Sequence, residues 1–187
     1  MFISDSWCHC SSHKMATCSE LVKILKAKSK EDLMKRAYDL GFNYTKDYGG
    51  CSQCVFAAVS EVLGAGSREI FKTMDGLAGG LVRAGDGTCG ALSGGVAAIS
   101  QKYGREDFEN PGEREKGMVL GKKLHDLFIE QFGSAVCKDV QTKIIGRSFN
   151  LWDPKEHEEF NKAKGDKCQT VVGKTAEWAV EILLGEA

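Results

Sequence analysis

Residues 51–64 read CSQCVFAAVSEVLG and contain the pattern from which the fold of this chain is predicted. The apolar side chains recur three or four residues apart, which is the spacing of one face of an α-helix. They are Val55, Ala58, Val59 and Val62. Cys51 lies in phase with them, and Gly64 is a residue type at which helices often end. We therefore predict a helix over residues 51–63 whose first residue, a cysteine, faces the core.

The same design recurs along the rest of the chain and predicts an all-α domain over residues 29–187, a compact multi-helix bundle. The other predicted helices span residues 30–40, 68–78, 89–103, 113–132, 137–145 and 168–184, with a short one opened by Asp153 and Pro154. Their predicted N-caps are Ser29, with Asp32 completing a capping box, then Ser67 and Thr88. Their predicted stops are Gly41, Gly79, Gly104 and Gly133.

Three further cysteines, Cys89, Cys137 and Cys168, occupy the same kind of position as Cys51, near a helix N-terminus and in phase with apolar residues. A helix N-terminus carries about half a positive charge and unpaired N–H donors, which stabilise a thiolate and lower its pKa. Four thiolates around a cubane cluster leave a net charge of about −2, which four helix ends would offset. The pattern predicts an iron–sulfur cluster bound by these four cysteines, with the 4Fe-4S type favoured over others. Cys54 is a candidate to replace one of these ligands or to serve a larger cluster. The alternative is four unrelated core cysteines.

The composition limits the classes of protein to which the chain can belong. Its 187 residues suffice for one domain, and a net charge of −1 does not point to nucleic acid as a partner. Neither a secretory signal nor an apolar run long enough to span a membrane is apparent, so we expect a cytoplasmic protein. In a reducing compartment, eight cysteines indicate metal or redox chemistry rather than disulfides.

Residues 1–28 differ from the remainder and are predicted to be an N-terminal cysteine-containing extension. Its cysteines are interleaved with polar residues instead of following an apolar face. Zinc binding is one hypothesis for this segment, although its CxC spacing differs from that of zinc fingers. The residues concerned are Cys8, His9, Cys10, His13 and Cys18.

Residues 76–95, GLAGGLVRAGDGTCGALSGG, contain eight glycines in twenty positions. Such density allows close approach of the backbone and exposes N–H groups that can bond to sulfur. Gly85 to Gly90 match GxGxxG, but no strand precedes them, which argues against a dinucleotide site. Gly94 and Gly95 are also small enough for close packing of helices, and this role is compatible with N–H groups near sulfur.

Cys51 and Cys54 form a CxxC pair at a helix start, as in thiol oxidoreductases, but the βαβ pattern of thioredoxin is missing. Val55 follows the second cysteine where a covalent c-type haem requires His, so this attachment is excluded. A cluster-free thiol–disulfide oxidoreductase using Cys51, Cys54 and Cys89 remains an alternative, and a zinc-stabilised structural module is a third. Isolated His125 and His157 are expected in surface or packing roles.

The cysteine order, together with CGALSG at residues 89–94, resembles the family of redox-active proteins named for its C, GCAxxG, C, C pattern. The resemblance covers roughly residues 31–184. It implies redox function. The residues of this chain that correspond to the family's motif are Cys51, Cys89, Gly90, Ala91, Gly94, Cys137 and Cys168.

By this resemblance we expect electron transfer or small-molecule reduction with a redox partner protein, and we expect the amides of Gly90 and Gly94 near the sulfurs to tune the potential. The family is also similar to part of a dimeric split-Soret cytochrome, which makes a homodimer a hypothesis. The haem attachment sequences of that cytochrome are not present in this chain.

Overall fold

The computed structural model describes residues 29–109 and 111–186, and the secondary structure of this part of the chain is helical, with no strand. This confirms the predicted all-α fold. The helices are α1 (Lys30–Tyr48), α2 (Cys51–Leu63), α3 (Arg68–Met74), α4 (Gly90–Tyr103), α5 (Pro111–Phe132), α6 (Cys137–Ile145), α7 (Pro154–Lys164) and α8 (Lys167–Leu184). None of the described helices is both long enough and apolar enough to cross a bilayer. The predicted N-terminal extension and its zinc hypothesis lie outside the described residues.

Helix α8 is central to the bundle, because it packs against α1, α2, α4 and α5. Helix α2 packs in turn against α1 and α4, and α5 covers the other side of α4. The largest fully buried side chains come from α2, α4 and α5, where the predicted apolar faces meet. They are Phe56, Ile99, Leu120, Leu124 and Phe128. Burial of these faces is the main source of stability for helices of this length.

Several predicted helix ends agree with the structure. Helices α2 and α6 have the predicted bounds, and α2 ends at Gly64 with a left-handed conformation. Ser29 and Asp32 form the predicted capping box at α1, and Ser67 caps α3. Asp153 caps α7 by accepting hydrogen bonds from two backbone N–H groups. Side-chain caps therefore specify the starts of α1, α3 and α7, and left-handed glycines specify the ends of α2 and α6.

The prediction that Gly41 ends the first helix is wrong, because α1 continues to Tyr48. Gly41 is buried against α8, where an added Cβ would lie 3.3 Å from the Cβ of Ala176. The glycine therefore allows two helices to pack closely instead of ending one of them. Helix α3 is also shorter than predicted, ending at Met74 before a 3-10 turn over Asp75–Leu77.

The prediction that Thr88 is the N-cap of α4 is wrong. Cys89 occupies the cap position, and no side-chain hydrogen bond caps this helix. Thr88 instead forms an isolated antiparallel bridge with Val136, which precedes α6. Backbone pairing with a distant segment thus takes the place of a local cap.

Residues 79–83 form a left-handed turn between α3 and α4, with φ values of 64°, 70°, 67°, 44° and 63°. Two of the five are glycines, but the others are Leu81, Val82 and Arg83, for which positive φ is sterically costly. Backbone hydrogen bonds hold the turn, including those from the N–H of Val82 to Gly76 (2.7 Å) and from the N–H of Arg83 to Ala78 (2.9 Å). The neighbouring structure therefore maintains a strained backbone.

Candidate functional site

Four cysteines from four helices line one cavity with a volume of about 590 Å³. Cys51 is the first residue of α2, Cys89 is the N-cap of α4, Cys137 is the first residue of α6, and Cys168 is the second residue of α8. Cys89 and Cys137 are buried, and Cys51 and Cys168 are half-buried. The structure thus brings together the four sulfur-bearing residues that the sequence singles out, although 117 positions separate the first from the last.

Backbone hydrogen bonds hold the starts of α4 and α6 side by side. The N–H of Cys89 donates to the carbonyl of Ala135 at 2.7 Å, and the N–H of Cys137 donates to the carbonyl of Gly87 at 3.0 Å. The Cys89 and Cys137 thiols interact at this point, and their interaction raises the pKa of Cys89 and lowers the pKa of Cys137. This contact between two cysteines 48 positions apart is not predictable from either helix alone.

Two glycines leave room for the cysteines. A Cβ added to Gly90 would lie 2.4 Å from the sulfur of Cys51, and one added to Gly80 would lie 2.6 Å from the Cβ of Cys137. Gly94 has a different neighbour, because its added Cβ would lie 2.2 Å from the carbonyl oxygen of Ser52 in α2. Gly90 is therefore part of the sulfur environment, and Gly94 has the helix-packing role that was one of its two predicted roles.

Burial opposes ionisation at most of these thiols. It raises the pKa of Cys51, although the N–H of Gly79 bonds to that sulfur and lowers it. Burial also raises the pKa of Cys168 to about 12. The pKa of Cys89 is raised because its thiol donates to Cys137 and because it is buried, with the N–H of Ala91 acting in the opposite direction.

Cys137 behaves differently from the other three. The hydrogen bond that it accepts from Cys89 lowers its pKa to about 7, although burial opposes this shift. The prediction that helix N-termini lower the pKa of all four cysteines is therefore wrong for three of them, since desolvation or donation outweighs the helix end there. The protein on its own favours one thiolate, and further anions need a bound positive charge.

Gln141 is a site residue that the sequence did not reveal. It is buried on α6, one turn after Cys137, and its Nε2 donates to the Cys137 sulfur at 3.4 Å. Its Oε1 accepts from the backbone N–H of Phe149 at 3.1 Å, which fixes the orientation of the amide. The i, i+4 spacing from a candidate ligand was the one signal that could have identified it.

Cys54 is not one of the residues that line the cavity. Its thiol donates to the carbonyl of Gly49 at the end of α1, with 2.8 Å between the two heavy atoms. Burial raises its pKa to about 11. The structure therefore gives the second cysteine of the CxxC pair a partner of its own in the core.

The mouth of the cavity is formed by exposed and half-buried residues of three segments. Tyr48 ends α1, Arg83 belongs to the left-handed turn, and Trp152 precedes α7. Helix α7 contributes one face, with residues spaced by three, four and seven positions. They are His157, Phe160, Asn161 and Lys164. His157, expected in a surface or packing role, thus lines the cavity, and the helical spacing of these four residues was the signal that could have shown it.

Among the described residues, no three Cys, His, Asp or Glu side chains are arranged so that they could hold a metal ion. The cavity contains four sulfur donors, but their placement is not that of a closed site for a single ion.

Comparisons with known proteins give one match. Neither the curated proteins nor the solved structures contain a match to this chain. A family model matches residues 50–182 and therefore includes all four cysteines that line the cavity. The matched region is most of the chain, so the protein belongs to the family described as "Putative redox-active protein (C_GCAxxG_C_C)".

Proposed function

We propose that Cys51, Cys89, Cys137 and Cys168 hold an iron–sulfur cluster and that the protein is a one-electron redox protein. The observation that carries this proposal is that four cysteines, each from the start of a different helix, line a single cavity. Membership of a redox-active family supports it. Such a cluster gains or loses one electron, which the protein would exchange with a partner protein or a small molecule.

The chemistry of the donor set fits a cluster. Thiolates are the usual ligands of iron–sulfur clusters, and N–H groups near the sulfurs tune their potential. Such groups are present at Cys51 and Cys89 from Gly79 and Ala91. Since burial raises the pKa of these thiols, iron would supply the positive charge that keeps several sulfurs ionised in one place.

A cluster also places different demands on the sulfurs than a single ion does. A structural zinc ion needs its four ligands within one tetrahedral shell, a closed arrangement. In a cubane, iron and sulfide occupy the space between the thiolates. Four cysteines around a cavity of about 590 Å³ leave room for such a core.

The direct test is the iron and acid-labile sulfide content of protein purified without oxygen. We expect about four of each per chain for a cubane, and a brown colour. Replacing Cys89 with Ser removes one ligand and should remove most of the iron.

The matched control is Cys54→Ser. Its hydroxyl can still donate to the carbonyl of Gly49, and residue 54 does not line the cavity. This variant should therefore retain iron. Retention of the full iron content by Cys89→Ser, or an iron-free wild-type protein after reconstitution with iron and sulfide, would contradict the proposal.

A second candidate function is a dithiol–disulfide exchange by Cys89 and Cys137, which the hydrogen bond between their side chains favours. The Cys137 thiolate would attack a partner disulfide and release one partner thiolate. Cys89, after losing its proton to that leaving thiolate, would attack the mixed disulfide and release the second partner thiolate, which takes a proton from water. The two cysteines are oxidised to a disulfide and the partner disulfide is reduced to two thiols.

This candidate predicts iron-free protein in which Cys89 and Cys137 form a reversible disulfide. Mass spectrometry of oxidised protein, with blocking of free thiols before digestion, measures which cysteines pair. A Cys51–Cys54 pair would contradict this pairing, although it would match the CxxC alternative from the sequence.

A further inference from the structure

The cavity that the four cysteines line has more cationic than anionic side chains among its lining residues. Arg83 and Lys164 line it, and the carboxylate among the described lining residues is that of Asp75. Within the described part of the chain, neither cation is paired with a carboxylate. Lys162, on another face of α7, is paired with Glu158. Helix α7 thus places at the cavity a lysine that has no carboxylate partner among the described residues and contacts the Phe160 ring, whereas Lys162 has a carboxylate partner outside the cavity. This difference favours a negatively charged occupant.

Arg83 is held in place by unusual means. It belongs to the left-handed turn at residues 79–83, and its guanidinium lies 4.8 Å from the centre of the Trp152 ring. The indole Nε1 of Trp152 donates to the carbonyl of Val82 at 2.8 Å. Costly backbone conformations are often found at ligand-binding segments, where neighbouring contacts maintain them. In this protein the left-handed turn places the Arg83 guanidinium at the mouth of the cavity.

The rest of the cavity is largely apolar and large for a cluster alone. Its volume of about 590 Å³ is within the range of small-molecule sites. The apolar lining includes Val82, Val140, Ile144, Leu151, Phe160 and Val171. A ligand that satisfies both ends would have one acidic group and an apolar body.

We propose that this cavity binds a small organic anion, with its acidic group at Arg83 and Lys164 and its apolar body directed towards the sulfurs. As a substrate assignment, this inference rests on the proposed redox function and takes the anion as the small molecule with which the cluster exchanges one electron. As a binding site, it depends only on the mouth and lining residues.

Two fluorescent probes that differ in one group test the proposal. They are 8-anilinonaphthalene-1-sulfonate, an aromatic anion, and N-phenyl-1-naphthylamine, the same aromatic body without the sulfonate. We expect the anion to bind saturably at one site per chain. Arg83→Gln and Lys164→Gln should each weaken binding of the anion about tenfold and leave binding of the neutral probe unchanged.

Two further variants separate charge from structure. Lys162→Gln removes a lysine of the same helix outside the cavity and should change the affinity for neither probe. Lys164→Arg keeps the positive charge and should retain binding of the anion. Equal losses for the two probes in Arg83→Gln and Lys164→Gln, or losses no larger than in Lys162→Gln, would overturn the proposal.

Iron measured on the same samples keeps the two proposals distinct. Iron-containing protein whose anion affinity is unaffected by Arg83→Gln would overturn the anion site alone. Iron-free protein that binds the anion through Arg83 and Lys164 would support the site and contradict the cluster.

Discussion

At the scale of single residues, Gly90 links the sequence motif to the sulfur site. Its Cα lies against Cys51, and an added Cβ would be 2.4 Å from the sulfur and 3.0 Å from the carbonyl oxygen of Leu77. Alanine is the better helix former by about 1 kcal/mol, but overpacking against fixed atoms costs about 1–3 kcal/mol. The steric cost is therefore the larger of the two effects.

We predict that Gly90→Ala lowers the free energy of unfolding by up to about 2 kcal/mol, measured by urea denaturation. Gly76→Ala is the matched control, because nothing lies within 4 Å of an added Cβ there. Its urea midpoint should stay close to that of the wild type. Equal midpoints for Gly90→Ala and Gly76→Ala would show that the close approach to Cys51 is not a real constraint.

A second residue-scale prediction concerns the pH dependence of Cys137. In metal-free protein, a thiolate forms as the pH rises through its pKa, which is about 7 for this residue. Alkylation of Cys137 by iodoacetamide should therefore accelerate between about pH 6 and pH 8, as followed by mass spectrometry. Cys89→Ala removes the hydrogen-bond donor but leaves Cys137 buried, so the midpoint should move to higher pH.

Cys54→Ser serves as the control for this titration, because Cys54 has its own partner at Gly49. The midpoint for Cys137 should not move in this variant. If Cys89→Ala leaves the midpoint where it was, the Cys89 thiol does not stabilise the Cys137 thiolate.

The sequence could predict which cysteines face the core but not how they interact. Helical phase places Cys51, Cys89, Cys137 and Cys168 on core-facing sides, which is a local property. The bond from Cys89 to Cys137 depends on backbone pairing between segments 48 positions apart, which leaves no local signal. Burial by other helices likewise raises the pKa of Cys51 and Cys168, and this effect has no local signal in the sequence either.

At the scale of elements, the left-handed turn at residues 79–83 is the feature that no local pattern predicted. Leu81, Val82 and Arg83 are not residue types that favour positive φ. Their conformation follows from tertiary contacts, such as the bond from Trp152 to the Val82 carbonyl. Helix ends with a side-chain cap, as at α1 and α7, were predictable because both partners are close in sequence.

We predict that Val82→Gly stabilises the protein by up to about 1 kcal/mol, since relief of the left-handed strain exceeds the entropy that glycine loses on folding. Val119→Gly is the matched control, because this valine is similarly exposed (47% against 54%) but lies within α5. There glycine should destabilise the helix by a few tenths of a kcal/mol or more. Urea midpoints that fall equally in the two variants would contradict the strain in the turn.

Gly41 is a residue whose role could not be decided from the local sequence. A glycine within an apolar pattern is a common helix stop, but it also lets helices approach closely. The choice depends on α8, which packs along α1 and lies more than 120 residues later in the chain. Such an alternative is settled only when the two helices meet.

At the scale of the whole molecule, the bundle gathers helix starts around one cavity. Helix α8 fixes the arrangement by contacting α1, α2, α4 and α5, and it contributes Cys168 itself. Cys168 in α8 and Cys51 in α2 thus line one cavity only because the helices between them have packed together. A shared cluster would therefore couple iron binding to folding, and its iron would stabilise the folded chain.

The measurement that tests this account most directly is the iron content of Cys168→Ser protein prepared without oxygen. Cys168 comes from α8 and is the proposed ligand furthest along the chain from Cys51. We predict that this variant loses most of its iron, as we also expect for Cys89→Ser, with its helical circular dichroism unchanged. Full iron content in folded Cys168→Ser protein would contradict a single centre shared by the four cysteines.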